Sequence, residues 1–271
     1  MIRANFHTHT TLCDGKNTPA EMARAAFDAG FEALGFSGHM DPTYHMDFPG
    51  YLAEIAALRA QWRGRLDILC GVELDQRWDP ATVAGAEYII GSTHFLSAPN
   101  GLTEAVDWSV EKSDALCREG FGGDWYRMCT AYYEEEAWVW EKTNCQIIGH
   151  FDLIARFNHQ APRFDEEDPR YLNPAREALA ALVAKCPVVE INCGAFNRGR
   201  RRDFYPARPL LRYLKEIGGE ICLGSDAHQA TLLAGGFPEA EAAARACGFD
   251  HALVLRHGAS GRVQWETRPL K

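Results

Sequence analysis

The sequence predicts an α/β fold, a barrel of parallel strands closed into one mouth, and three observations carry that prediction. Seven short apolar segments alternate with helical segments along the chain, which implies parallel strands joined by helical crossovers. Each apolar segment ends in a residue that binds metals or hydrogen-bonds, and in a closed barrel such strand ends converge on one face. No linker or low-complexity stretch interrupts residues 1–271, which read as a single domain. A doubly wound open sheet is the alternative, although its crevice would not gather all seven strand ends.

The elements follow in order. Residues 2–6 form the first strand and run into His7-Thr8-His9; side chains at i and i+2 share one face of a strand, so the two imidazoles project together. Asp14 follows as an oxygen ligand. Thr18, Pro19 and Glu21 give a capping-box start to a helix that Gly30 closes. Residues 33–36 are a strand ending near His39. Residues 51–63 are helical, 66–70 are a strand leading to Glu73, and 88–91 are a strand ending at His94. Residues 95–124 read as an irregular lid with some helix, and 125–143 as one helix. Strand 146–148 ends at His150, helix 174–185 leads to strand 188–191, and helix 208–217 leads to strand 220–223, which ends at Asp226 and His228. A helix over 238–247 and a short strand over 252–255 complete the chain.

Composition bounds the function. The net charge of −9 argues against a nucleic-acid binder, and no apolar run is long enough to span a bilayer. Nine cysteines without a C-x-x-C pair suggest a reducing compartment, with the cytoplasm expected. The strand ends collect His7, His9, Asp14, His39, Glu73, His94, His150, Asp226 and His228, six of the ten histidines with three carboxylates. Mixed imidazole and carboxylate donors suit zinc, manganese or iron better than magnesium or calcium. The set exceeds the need of one ion and matches two or three divalent ions, with Glu73 the natural bridge. Clustered ions point to hydrolysis. His45, His159, His251 and His257 lack this context and read as loop or surface residues.

In this order, the segments H-T-H-T, G-x-x-G-H, G-V-E-L, G-S-T-H-F, I-G-H-F-D and G-S-D-A-H resemble the motifs of the PHP family of metal-dependent phosphoesterases. CDGKNTPAEM, GDWYRMCTAYYE, IIGHFDLIARF and EINCGAFNRGRRRDFYP are similar to its histidinol-phosphate phosphatase branch. The resemblance implies a distorted (β/α)7 barrel with a di- or trinuclear centre on the nine residues above, with Asp226 and His228 also serving catalysis. It implies that Arg156 and Arg198 face a substrate phosphate, joined by Arg201, since a phosphomonoester needs fixed cationic donors. Cys193 and Phe196 stand where the branch more usually has small polar or aliphatic residues. The expected reaction is hydrolysis of a small phosphorylated substrate, L-histidinol phosphate, by a metal-activated hydroxide. The alternatives are another small phosphomonoester, a nucleotide or a phosphotyrosine substrate, or a metal-binding module without turnover.

Overall fold

The seven buried strands owe their parallel packing to side chains that are apolar on both faces, and the first of them shows how little ladder is needed. The structure, a computed structural model, describes residues 1–271. Strand β1 is Ala4–Asn5, followed by helix α1 (Pro19–Asp28), β2 (Ala33–Phe36), β3 (His39–Met40), α2 (Phe48–Trp62), β4 (Asp67–Asp75) and β5 (Tyr88–Ser92). Then come β6 (Phe95–Ser97), β7 (Thr103–Ala105), α3 (Val110–Phe121), α4 (Trp125–Glu136), α5 (Val139–Thr143) and β8 (Ile147–Ile148). The chain ends with α6 (Pro169–Val183), β9 (Val188–Asn192), α7 (Gly194–Asn197), α8 (Arg208–Glu216), β10 (Glu220–Gly224), α9 (Phe237–Ala246), β11 (His251–His257) and β12 (Val263–Pro269).

The sheet runs β1-β2-β4-β5-β8-β9-β10, every neighbouring pair parallel, with β3 paired to β4. A parallel bridge between Thr8 and Ala227 joins the two edges beyond β1 and β10, and the His9 N–H donates to the Ala227 carbonyl at 2.9 Å. The result is a nearly closed barrel of seven parallel strands, the fold class that the alternation predicts. Tyr88 plugs its interior: the hydroxyl donates to the Phe6 carbonyl at 2.7 Å and to that of Phe36 at 3.0 Å. Gly71 makes room for that ring, since a Cβ there would lie 2.1 Å from it. A continuous apolar core of 76 buried residues surrounds this axis. No helix is long and apolar enough to cross a membrane.

Helix α1 has both halves of its capping box, with Thr18 Oγ1 accepting from Glu21 and the Glu21 carboxylate accepting from the Thr18 N–H. Five readings are corrected. The span 95–124 is regular, a β6–β7 hairpin followed by α3, whose N-terminus Ser109 caps and whose end Gly122 turns at φ 68°. The span 125–143 is two helices, because Trp138 departs from helical dihedrals; its mix of Ala, Glu and aromatics carries no signal for the break. Helix α6 begins at Pro169 with Asp168 as its cap, so Pro174 is interior, and the carbonyl left free belongs to exposed Arg170. The last strand is longer than expected and pairs antiparallel with β12, whose alternation of polar and apolar residues is a strand signal standing outside the strand–helix repeat. Finally, His251 and His257 lie on β11, where His257 binds Asp67 at 2.6 Å and Glu87 at 3.0 Å; His45 and His159 are exposed.

Candidate metal centre

The strand ends deliver their side chains to one cavity of about 520 Å³. Glu73, near the end of β4, is 1% exposed and sits at its floor. Its Oε1 lies 2.7 Å from His150 Nε2 and 3.1 Å from His94 Nε2; its Oε2 lies 3.1 Å from His7 Nε2, 3.1 Å from His39 Nδ1 and 3.5 Å from His9 Nε2. Each carboxylate oxygen thus faces its own set of imidazoles. Asp226 Oδ1 lies 3.4 Å from His9 Nε2 and 3.5 Å from His228 Nδ1, while Asp14 Oδ2 lies 3.0 Å from His228 Nε2 and 3.7 Å from His39 Nε2. All nine residues named from the sequence meet here. Asp226 does so at φ 48°, a left-handed conformation rare for a residue with a Cβ and typical of strained functional positions.

These donor atoms lack the partners that buried polar groups normally find. His7 Nε2, both ring nitrogens of His9, His39 Nδ1, Asp14 Oδ1 and Glu73 Oε2 are buried with no hydrogen bond. Four groups have ligand atoms within 4.8 Å of one another: His9, Asp14, His39 and His228; His7, His9 and Asp226; His7, Glu73 and His150; and His39, Asp41 and His94. Such clustering of unpartnered nitrogens and oxygens fits divalent cations, and the chain's donors suit metal use on this ground.

The electrostatics agree. Burial, reinforced by neighbouring imidazoles, holds His9 below its ordinary pKa and pulls His39 down to about 3, so both offer free lone pairs at neutral pH. Burial also opposes charge on His7 and His94, but Glu190 and Glu73 for the first, and Glu73 and Asp75 for the second, outweigh it and hold both well above the ordinary value. Burial works against the Glu73 and Asp226 carboxylates as well, yet imidazoles around Glu73 and Arg198 beside Asp226 keep both far below the usual range. The site is built to hold positive charge.

Several residues that hold the ligands escaped the sequence reading. His7 Nδ1 bonds both oxygens of Glu190, at 2.8 and 3.0 Å, which turns Nε2 into the cavity. His94 Nδ1 lies 3.2 Å from Asp75, whose carboxylate also accepts the His94 N–H at 2.8 Å. Glu190 stands alone in the apolar run VVEIN, and Asp75 is two residues beyond Glu73 on the same strand face. Those two signals, a lone acid in a buried strand and an i, i+2 acid pair, could have found them. Asp41 joins His39 through the turn it caps, accepting from the Tyr44 N–H at 2.7 Å.

The arginines divide. Arg156 lines the cavity with its Nε unpartnered, and its NH1 bonds Asp107 at 3.1 Å. Arg198 also lines it, donating to the Asp226 carbonyl at 2.9 Å and reaching its carboxylate at 3.2 Å. Arg201 departs from its expected place on the phosphate wall. It is 5% exposed and its guanidinium is taken up by Glu166 at 2.8 Å, Asp152 at 4.0 Å and the Ala155 carbonyl; exposed Arg200 lines the cavity instead. The serines at the strand ends are engaged: Ser37 accepts from the Thr8 N–H, Ser92 donates to Glu73, and Ser225 accepts from the Asn5 amide.

Known proteins resemble this chain in sequence and fold. The model of the PHP domain matches residues 5–193. A Deinococcus radiodurans protein named "Probable histidinol-phosphatase" is 33% identical over 244 residues, 82% of this chain and 85% of its own length. The fold matches a crystal structure of a candidate histidinol phosphatase from Listeria monocytogenes at TM-score 0.76, with 19% identity over 87% of this chain and 99% of that one. It also matches histidinol phosphate phosphatase of Lactococcus lactis, solved with zinc, L-histidinol and phosphate, at TM-score 0.68, with 21% identity over 97% of this chain and 98% of that one. With the matched domain spanning well over half its residues, the chain belongs to the PHP domain family.

Proposed function

We propose that the chain is a metal-dependent phosphomonoesterase that hydrolyses L-histidinol phosphate to L-histidinol and phosphate. The observation that carries this reading is the clustering of nine imidazole and carboxylate ligands, seven of them lining a cavity that three arginines also line. The relatives named for histidinol phosphatase activity and the neighbour solved with zinc, L-histidinol and phosphate support the substrate and put zinc ahead of manganese and iron.

His7, His9, Asp14, His39, Glu73, His94, His150, Asp226 and His228 would hold two or three divalent ions, with Glu73 central among them since its two oxygens face separate imidazole sets. When bound, such ions supply Lewis acidity and make water a nucleophile at neutral pH. Glu190 and Asp75 hold His7 and His94 in the tautomers that aim Nε2 inward. Arg156 and Arg200 bind the non-bridging phosphate oxygens, while Arg198 fixes Asp226 and adds its charge to the same wall. Asp226 and His228, beside those arginines, orient the attacking water. The engaged serines leave water as the nucleophile. The buried, unbridged cysteines fit a reducing cytoplasm.

The test is phosphate release across a panel of phosphomonoesters, including a nucleotide and a phosphotyrosine, with metal analysis of the same preparation. Histidinol phosphate should lead the panel in kcat/KM by roughly tenfold or more. A metal-loaded protein that releases phosphate from nothing is a binding module, and a flat panel refutes the substrate assignment.

A further inference from the structure

The Arg156–Asp107 pair stands on the cavity wall rather than beneath it: both residues line the cavity, with side chains 18% and 22% exposed. Asp107 makes no hydrogen bond or ion pair with any of the nine ligands, and it follows the β6–β7 hairpin. An ion pair placed in a binding cavity ties up a cation needed for phosphate, unless the ligand replaces both halves of the pair. In an amino-alcohol phosphate with its amine and ester oxygen on adjacent carbons, the phosphate and the ammonium present opposite charges at just such a short spacing. Trp108, next in the chain and 54% exposed on the same wall, offers a flat apolar face to the remainder of such a molecule.

Resting on the phosphomonoesterase reading, we infer that Asp107 is the receptor for the substrate's ammonium group, released to it when phosphate takes over Arg156. The two protein charges pair with each other at 3.1 Å, and the substrate exchanges that one pair for two. Neither charge is left bare in either state, so the exchange escapes the cost of an unpaired, half-buried ion. A phosphomonoester without the amine would draw Arg156 away and strand Asp107 beside the phosphate, and like charges close together select against it. The substrate class is therefore the phosphate ester of an amino alcohol, and Asp107 is its specificity residue.

The experiment compares wild type with Asp107→Asn on L-histidinol phosphate and on the same molecule lacking the amine, with inhibition by inorganic phosphate measured in parallel. Asp107→Asn should lose roughly 10- to 100-fold in kcat/KM on the amine substrate, hold or gain on the des-amino one, and keep its affinity for phosphate. Equal losses on both substrates with weakened phosphate binding mean that Asp107 only positions Arg156, and no loss on either removes it from the site; each overturns the inference. Should Asp107→Asn not fold, wild type alone decides: L-histidinol phosphate should exceed its des-amino analogue in kcat/KM by at least about tenfold, and equal values refute the ammonium site. If wild type cleaves other monoesters but neither imidazole compound, the histidinol reading fails, and ethanolamine phosphate against ethyl phosphate then tests Asp107 by itself.

Discussion

Arg156 and Arg198 stand on the same wall but serve different neighbours, and that separates the effects of removing them. Arg156 touches no ligand residue, so Arg156→Ala should lower kcat/KM by roughly 2–4 kcal/mol with metal content intact. Arg198 braces Asp226 through backbone and side chain, in a conformation that residue rarely adopts. Arg198→Ala should therefore release metal as well as activity. Kinetics with elemental analysis on both variants checks this; equal metal content in the two would refute the bracing role. The contrast was beyond the sequence, which offered four arginines at 198 and 200–202 with no sign of which acid each would meet. Arg201 shows why: its partners Glu166 and Asp152 lie far back along the chain. Most of the ligands were legible because they stand at or just past the end of an apolar run, where period and position point the side chain, and Asp14 because it follows closely on His7 and His9. Glu190 lies inside its apolar run rather than past it, so a reading of strand ends passes over it although the lone acid is itself a signal.

Among the elements, the β11–β12 hairpin pairs with no barrel strand and is fastened by charge at the barrel's base. His257 bonds Asp67, at the start of β4, and Glu87, just before β5, while Arg256 bonds Asp67 at 3.0 Å. Burial works against the charged imidazole, but Asp67 and Glu87 outweigh it and raise the His257 pKa above its ordinary 6.5. A group whose folded pKa is raised binds its proton more tightly in the native state. Its stabilisation is complete below about pH 6.5 and fades as pH rises through the folded value. His257→Gln should therefore lower Tm most near about pH 6 and progressively less toward about pH 9, since the wild type gives up the same interaction on deprotonation. Thermal melts of both proteins across that range test it; a difference that widens with pH would reverse the assignment. The hairpin's second strand went unseen because its ladder lies outside the repeating strand–helix pattern, and the α4–α5 break because propensity does not register where a helix interrupts itself. The capped helix α1 was legible down to its hydrogen bonds, a local signal needing no tertiary partner.

Across the whole molecule, the barrel holds Glu73, Asp226 and Asp14 with six imidazoles at one end, and the unpartnered atoms among them make that end costly without cations. Ligands that bind only the folded chain stabilise it by about 2.7 kcal/mol at a hundredfold excess over Kd. Stripping metal with a chelator should then lower Tm by on the order of 5 °C or more, and restoring zinc should recover it. Calorimetry on both forms decides; an unchanged Tm would show that the buried donors need no cation to remain folded. Alternation of strands and helices was enough to predict the barrel, yet nothing in the sequence marked which two strands would meet at its edge.

That edge has a consequence in time. The bridge between Thr8 and Ala227 joins the beginning of the chain to a stretch far along it, and His7 and His9 reach Asp226 and His228 across the same seam. On a ribosome the first ligands emerge early and must wait for the last, and contacts so distant in sequence form slowly. Most of the barrel's strands can pair before the seam shuts, but the full ligand set is assembled only after it. Metal capture therefore reports a closed seam, and a polypeptide released before residue 226 has imidazoles to offer but no complete centre to put them in.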